Sequence, residues 1–130
     1  MKIAFRALPG ENTTVPRPIV NVYVDGISSV AMACLLDTGS LHNRFAGWIA
    51  QEAGIETGGV AAESIGVGGR STIARTVTVR LGLGDFWWET PVSFCDPWPW
   101  DFNLLGQEGF LRWFTVTIKA AARTLEIKPL

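Results

Sequence analysis

The stretch Leu35-Leu36-Asp37-Thr38-Gly39-Ser40 guides the interpretation of the whole chain. An apolar run without charged residues, from Ala31 to Leu36, ends in the carboxylate of Asp37, and a hydroxyl, a glycine and a second hydroxyl follow at once. This pattern predicts a buried strand that carries an acid at its end and then turns sharply, because glycine permits a tight turn. The same residue types are also common in ordinary turns, so this stretch alone does not assign a chemical role.

Composition indicates a globular protein and argues against several functions. The 130 residues fit one compact domain, 1–130, in which 1–16 form an N-terminal strand or extension. Apolar residues make up 48% of the chain and charged residues 18%, which argues against disorder. The net charge of −1 gives no electrostatic footprint for nucleic acid, and no apolar run is long enough to span a bilayer. We therefore expect neither a nucleic-acid partner nor a membrane.

Few residues in the sequence could bind a metal. The two cysteines, Cys34 and Cys95, lack the spacing of a metal site, and the single histidine, His42, leaves too few ligands for structural zinc. We expect no metal, no cofactor and reduced cysteines in the core, with a disulfide as the alternative. The segment Met1–Arg6 contains no apolar stretch typical of a signal peptide, so the cytoplasm is the expected compartment.

Fourteen glycines and seven prolines divide the chain into short segments rich in Val, Ile, Thr and Trp, which predicts a mostly β protein. Short apolar or alternating runs predict strands at 2–8, 19–24, 29–36, 76–81, 86–95, 102–106, 114–119 and 123–127. Asp25-Gly26 predicts a hairpin turn. Two short helices are also expected: one capped by Asn43 or Ser40 and ended by Gly54, and one over 107–113.

Three glycines in four residues, Gly66, Gly68 and Gly69, stand between two strand-like runs. Glycine-rich loops also bind phosphate where they open a helix. Here residues 76–81 alternate as a strand does, and no helical pattern follows the glycines. The glycines therefore predict the tip of a hairpin.

Three features now occur in a fixed order: Leu35–Ser40, the glycine-rich hairpin, and Leu104-Leu105-Gly106 before a short helix. In this order they resemble the retropepsin family, the aspartic proteases of retroviral type with their bacterial and other cellular relatives. Asp37-Thr38-Gly39 matches the family's active-site triplet, and Ile65-Gly66-Val67-Gly68-Gly69 looks like the tip of its flap. The resemblance covers roughly 17–128. It implies an all-β fold, a closed acid-protease-type β-barrel with a flap hairpin and one or two short helices.

The resemblance also implies an activity. The protein would be an aspartic endopeptidase that hydrolyses peptide bonds with a water activated between two Asp37 carboxylates of a homodimer. The implied catalytic residues are Asp37, Thr38 and Gly39, and Thr38 would bond across the dimer axis. The implied substrate-binding residues are Ser40, Ile65, Gly66, Val67, Gly68, Gly69, Leu104, Leu105 and Gly106. The sequence contains one such triplet, so the implied partners are a peptide or protein substrate and a second copy of the chain.

The chain departs from the family pattern in two places. Gln107-Glu108 stands where viral enzymes carry a basic residue after the glycine, and residues 1–16 have no clear match. In viral enzymes the terminal segments form the dimer interface.

Other interpretations involve some of the same residues. A triad of Ser40, His42 and Asp37 is disfavoured, because triad partners are normally brought together from distant parts of a chain. A glycosidase pair of Asp37 with Glu63 or Asp101 has no supporting spacing.

The six tryptophans fit a core, an interface or a sugar-binding or substrate surface. Trp98 and Trp100 are the best candidates for a dimer or substrate surface. The alternative function is a catalytically silent, protease-like module that binds peptides or mediates dimerisation. The intact Asp37-Thr38-Gly39 favours the enzyme, because a binding module has no need of the acid.

Overall fold

A computed structural model describes residues 1–12 and 14–130, apart from the side chain of residue 28. Within these residues the strands are β1 (Lys2–Ala4), β2 (Ile19–Val24), β3 (Ile27–Leu36), β4 (Asn43–Ala46), β5 (Glu63–Val67), β6 (Arg70–Leu83), β7 (Phe86–Asp96), β8 (Asn103–Leu105), β9 (Phe114–Lys119) and β10 (Thr124–Pro129). A short helix α1 (Gly47–Glu52) follows β4, and a π-helix (Gln107–Leu111) follows β8. No helix in the described ranges is both long and apolar enough to cross a membrane.

Six of these strands close into a barrel. Their order is β2-β3-β8-β4-β7-β6, and β6 pairs again with β2, where Tyr23 lies opposite Gly82. β5 pairs only with the first part of β6, so the β5–β6 hairpin extends from one edge of the barrel. The predicted all-β fold, a closed barrel with two short helices, is confirmed.

Alternation of apolar and polar side chains explains how the strands fill the barrel. In β2, Val20, Val22 and Val24 are fully buried while Asn21 is exposed, as expected for a strand with one face on the core. The main core also includes large buried side chains from several other strands: Phe45, Leu81, Val92 and Leu105. A smaller buried cluster lies apart from it and consists of Leu8, Ile19, Phe102 and Leu104.

The two ends of the chain form a separate sheet. β1 and β9 pair with the two sides of β10, so this three-stranded sheet has the order β1-β10-β9. The predicted strand at 2–8 is too long, because β1 ends at Ala4 and Arg6 instead pairs with Arg17 in an isolated bridge. The side chain of Leu8 then turns into the smaller cluster. The loop expected between the first two strands includes Thr13, which lies outside the described residues.

The predicted start of the first helix is wrong. Residues Asn43–Ala46 form β4, which lies between β7 and β8 and pairs with both. The helix begins only at Gly47, and Ala46 precedes it without a side-chain cap. Local periodicity misses β4 because its pairing partners lie far along the chain, with Phe45 opposite Phe94. Gly54 does follow the helix, with a φ of 69°.

The remaining differences concern element lengths. β6 begins at Arg70, before the predicted strand at 76–81, because its residues 70–74 complete the hairpin with β5, while its residues 73–83 pair with β7. The predicted helix at 107–113 is a π-helix of five residues. Its wide turn is set by hydrogen bonds such as that from the Leu111 amide to the Gly106 carbonyl, 3.1 Å.

Candidate active site

Asp37 lies where β3 leaves the barrel. β3 and β8 run parallel, with Leu36 opposite Leu105, and the Asp37 amide donates to the Leu105 carbonyl at 2.9 Å. The side chain before Asp37 is buried in the core, while Asp37 itself is only partly buried. The strand pairing therefore holds the backbone of the acid and leaves its carboxylate at the barrel surface.

The turn after Asp37 orients the carboxylate. The Gly39 amide donates to Asp37 Oδ1 at 3.0 Å, and the Ser40 amide donates to the Asp37 carbonyl at 3.1 Å. The hydroxyl of Ser40 donates to the His42 carbonyl at 2.7 Å. The Ser40 side chain therefore stabilises the loop, while Thr38 and Gly39 remain exposed.

Residues at the start of the π-helix hold this turn in place by hydrogen bonds. The Gln107 amide donates to the Ser40 carbonyl and the Glu108 amide to the Leu41 carbonyl, both at 2.9 Å. Gln107 Nε2 also donates to the Thr38 carbonyl at 2.8 Å. Gln107, which departs from the viral pattern, thus binds the turn after Asp37 of its own chain.

Gly106 permits this close approach. A β-carbon at position 106 would lie 2.5 Å from the His42 carbonyl oxygen and 2.6 Å from that of Ser40. Leu105 beside it is fully buried under the turn, whereas Leu104 lies on the other side of the strand. Leu105 and Gly106 therefore support the turn and do not line the groove described below.

Asn43 is a supporting residue that the sequence suggested only as a helix cap. It is fully buried, and its Oδ1 accepts the Gly106 amide at 2.9 Å. Its amide nitrogen Nδ2 has no hydrogen-bond partner among the described residues. A second buried asparagine, Asn103, joins β8 to its neighbours by accepting the Ala46 amide at 3.0 Å and donating to the Ala33 carbonyl at 3.3 Å. The periodic pattern of apolar residues in a sequence does not indicate hydrogen bonds between distant segments such as these.

The β5–β6 hairpin faces Asp37 across a groove. Val67 pairs with Arg70, and the turn between them is Gly68-Gly69, both with positive φ (57° and 78°). This is the two-glycine geometry that suits a tight hairpin. The groove has a volume of about 240 Å³ and is lined by Asp37, Val67, Gly68, Trp98, Trp100, Phe102 and Leu104.

The structure thus brings part of the expected site together. Asp37, Val67, Gly68 and Leu104 share the groove, whereas Ile65, Gly66 and Gly69 belong to the hairpin without lining it. The aromatic wall, defined as Trp98, Trp100 and Phe102, adds residues that the expected substrate-binding set lacks. Trp98 and Trp100 were candidates for a dimer or substrate surface, and Phe102 was predicted only as part of a strand.

Interactions within the aromatic wall keep its rings together. Trp98 and Trp100 meet edge to face with ring centroids 4.9 Å apart, and Trp98 Nε1 donates to the Phe102 carbonyl at 2.9 Å. Phe102 is buried with Leu8 in the smaller cluster, so the N-terminal extension packs behind the wall. The groove therefore combines one carboxylate with a preformed apolar surface.

Other ionisable groups lie away from the groove. Among the described residues, Asp37 is the one acidic residue in the groove lining, and no group of three or more His, Cys, Asp or Glu side chains could hold a metal ion. Cys34 and Cys95 are free and buried. Burial raises the pKa of both thiols, that of Cys95 to about 11, although Arg44 opposes part of the latter shift.

Comparison with known proteins identifies the fold. Among solved structures the chain is similar to a retropepsin-like aspartic protease from Rickettsia conorii, with a TM-score of 0.66, 17% sequence identity and 98% of each chain covered. No protein-family model matches the sequence, and no curated protein matches it. The chain therefore has the fold of a retropepsin-like aspartic protease, and the resemblance seen in its motifs is confirmed for the fold.

Proposed function

We propose that the protein is an aspartic endopeptidase whose active site forms between two copies of the chain. The observation that carries the proposal is the position of Asp37: a partly buried carboxylate at the end of β3, on a hydrogen-bonded turn, facing a glycine hairpin across an apolar groove. An acid needed only for a turn would not require a groove of this kind in front of it.

Two copies are needed because one chain offers one acid. The sequence contains a single Asp-Thr-Gly triplet, and no described side chain in the groove lining other than Asp37 carries a carboxylate. A two-fold axis beside the turn would place Asp37 opposite the same residue of the second copy. Thr38 and Gly39, exposed on the outer side of the turn, are then the backbone nearest that axis.

The chemistry follows from placing two carboxylates side by side. Like charges this close cannot both ionise, so the pair would hold one proton between them, as is known for aspartic-protease dyads. The ionised member takes a proton from a water molecule, which attacks the peptide carbonyl, and the protonated member polarises that carbonyl. The pair titrates as a unit, so the pH dependence of activity belongs to both acids together.

The groove favours an extended peptide as substrate. Aromatic and aliphatic side chains line it on the barrel side, and the hairpin closes it on the other. An extended peptide could bind by adding its backbone to a strand edge and placing apolar side chains against the wall. Acting as a flap, the hairpin would exclude water around the scissile bond.

The test is digestion of a peptide library at acidic pH, with and without pepstatin. We expect cleavage that pepstatin blocks and that falls by about 10²- to 10⁴-fold or more in Asp37→Asn, because this change removes the general acid and base. Asp85→Asn is the matched control, since Asp85 lies in the exposed turn between β6 and β7. Peptide binding that persists in wild type without any cleavage would contradict the proposal and favour the silent module.

A further inference from the structure

The tip of the β5–β6 hairpin rests on Trp100. A β-carbon at Gly68 would lie 2.9 Å from Cζ2 and 3.2 Å from Cη2 of Trp100, so the backbone of Gly68 is in contact with that ring. A β-carbon at Gly69, the other residue of the turn, would meet nothing within 4 Å. Both glycines have positive φ, so only the contact with the ring distinguishes them.

This contact explains why the turn is Gly-Gly. Turns of this shape commonly take asparagine at the first position and glycine at the second. Asparagine at position 68 could adopt the backbone angles but would collide with the Trp100 ring. At the first position it is therefore the neighbouring Trp100 ring, and not the turn alone, that favours glycine over asparagine.

Trp98 packs against the Trp100 ring and holds it in place beneath the tip. Its ring packs edge to face on Trp98, whose indole nitrogen is hydrogen-bonded to the Phe102 carbonyl at 2.9 Å. Val67, next to the turn, packs on the same cluster. In the described part of the chain no hydrogen bond joins Gly68 or Gly69 to the aromatic wall, so packing alone holds the tip against the wall.

Two grooves share residues beside this contact. Val67 and Trp100 line both the groove of Asp37 and a second groove of about 310 Å³ that continues along Arg70, Ser71, Thr72, Pro97 and Pro99.

We propose that Trp100 is a positioning residue that holds the hairpin tip above Asp37. This contact between the Gly68 backbone and the Trp100 ring keeps the tip in place while a peptide binds in the groove beneath it. The effect on catalysis rests on the proposed peptidase function, whereas the contact itself can be tested on protein without substrate.

The first experiment is a double-mutant cycle on the protein without substrate. Amide hydrogen exchange is measured at the paired residues 64–67 and 70–73 in Gly68→Ala, Gly69→Ala, Trp100→Ala and the two double variants. We expect Gly68→Ala to accelerate hairpin exchange about tenfold more than Gly69→Ala, because only the former displaces the ring. In the Trp100→Ala background that difference should vanish. Equal effects of the two glycine changes in both backgrounds would overturn the proposal.

The second experiment measures how Trp100 affects catalysis. We expect Trp100→Ala to raise KM about tenfold with a smaller change in kcat, and Trp100→Phe to restore most of the loss. A merely structural role would reduce the active fraction, lowering apparent kcat and leaving KM unchanged, and that result would overturn the positioning role. Coupled exchange in a protein that cleaves no peptide would support the contact and refute the peptidase function.

Discussion

Two regions face each other across the groove, and they are held in place by different interactions. At the Asp37 corner, defined as residues 35–42 with Asn43 and 105–108, backbone hydrogen bonds and buried side chains fix the turn from several directions. At the hairpin tip, residues 66–69, the turn meets the aromatic wall by packing alone. The difference matches the roles that we propose, because an acid must keep its geometry whereas a flap must move.

The same substitution in the two regions should have very different effects. Gly106→Ala places a methyl group against the Ser40 and His42 carbonyl oxygens, and we expect a loss of about 3 kcal/mol in the free energy of unfolding. The methyl group added by Gly66→Ala in the hairpin meets nothing within 4 Å. This substitution should therefore change the free energy of unfolding by about 0.5 kcal/mol or less. Urea denaturation measures the free energy of unfolding of both variants. Similar values for the two variants would show that the corner is not packed more tightly than the hairpin.

Removing the buried acceptor at the corner should have the next largest effect. In Asn43→Ala the Gly106 amide loses its partner, which should lower the free energy of unfolding by about 2 kcal/mol. Part of this loss of stability is offset, because the substitution also removes the buried, unpaired Nδ2 of Asn43. Asn21→Ala, which removes only an exposed hydrogen bond from the Arg6 side chain, is the control. A variant as stable as this control would show that Asn43 does not hold Gly106 in place.

Gln107 offers a finer test because its contact is exposed. In Gln107→Glu an acceptor replaces the donor to the Thr38 carbonyl, and we expect a loss of about 1 kcal/mol in stability and a measurable decrease in kcat/KM. Gln51→Glu, on the exposed side of α1, is the matched control. If kcat/KM is unchanged in Gln107→Glu, this side chain does not position the turn after Asp37.

The smallest effect should come from outside both regions, in the terminal sheet. A hydrogen bond and the charge of Lys119 lower the pKa of Glu126, so the pair stabilises the fold above the ordinary pKa of glutamate. That stabilisation is lost as pH falls through the lowered pKa. Thermal unfolding of Glu126→Gln should therefore differ slightly from wild type at neutral pH and low salt, and not at about pH 2. A difference that persists in acid would have another cause.

The sequence was informative wherever a local pattern carried the structure. Alternation located β2 and β9 with their observed bounds, and the glycines of the β5–β6 hairpin identified its turn. It failed at β4, since four residues between two distant strands have no local periodicity of their own.

In the candidate site, too, local patterns were predictable from the sequence and contacts between distant segments were not. The motif around Asp37 was visible in the sequence, whereas the hydrogen bonds of Asn43 and Gln107 depend on how distant segments meet. Trp98 and Trp100 could be singled out but not placed, because a tryptophan fits a core, an interface or a groove equally well. Only the closed barrel brings these side chains to the same groove as the acid.

The most direct test of the two-copy site is subunit mixing. Wild-type chains are unfolded and refolded together with about a tenfold excess of Asp37→Asn chains, and cleavage is measured per wild-type chain. Because most wild-type subunits would then pair with an inactive copy, we expect the activity per wild-type chain to fall to about one tenth. Equal dilution with buffer or with an unrelated protein controls for concentration. Unchanged activity per wild-type chain would show that one Asp37 is sufficient and would contradict the shared site.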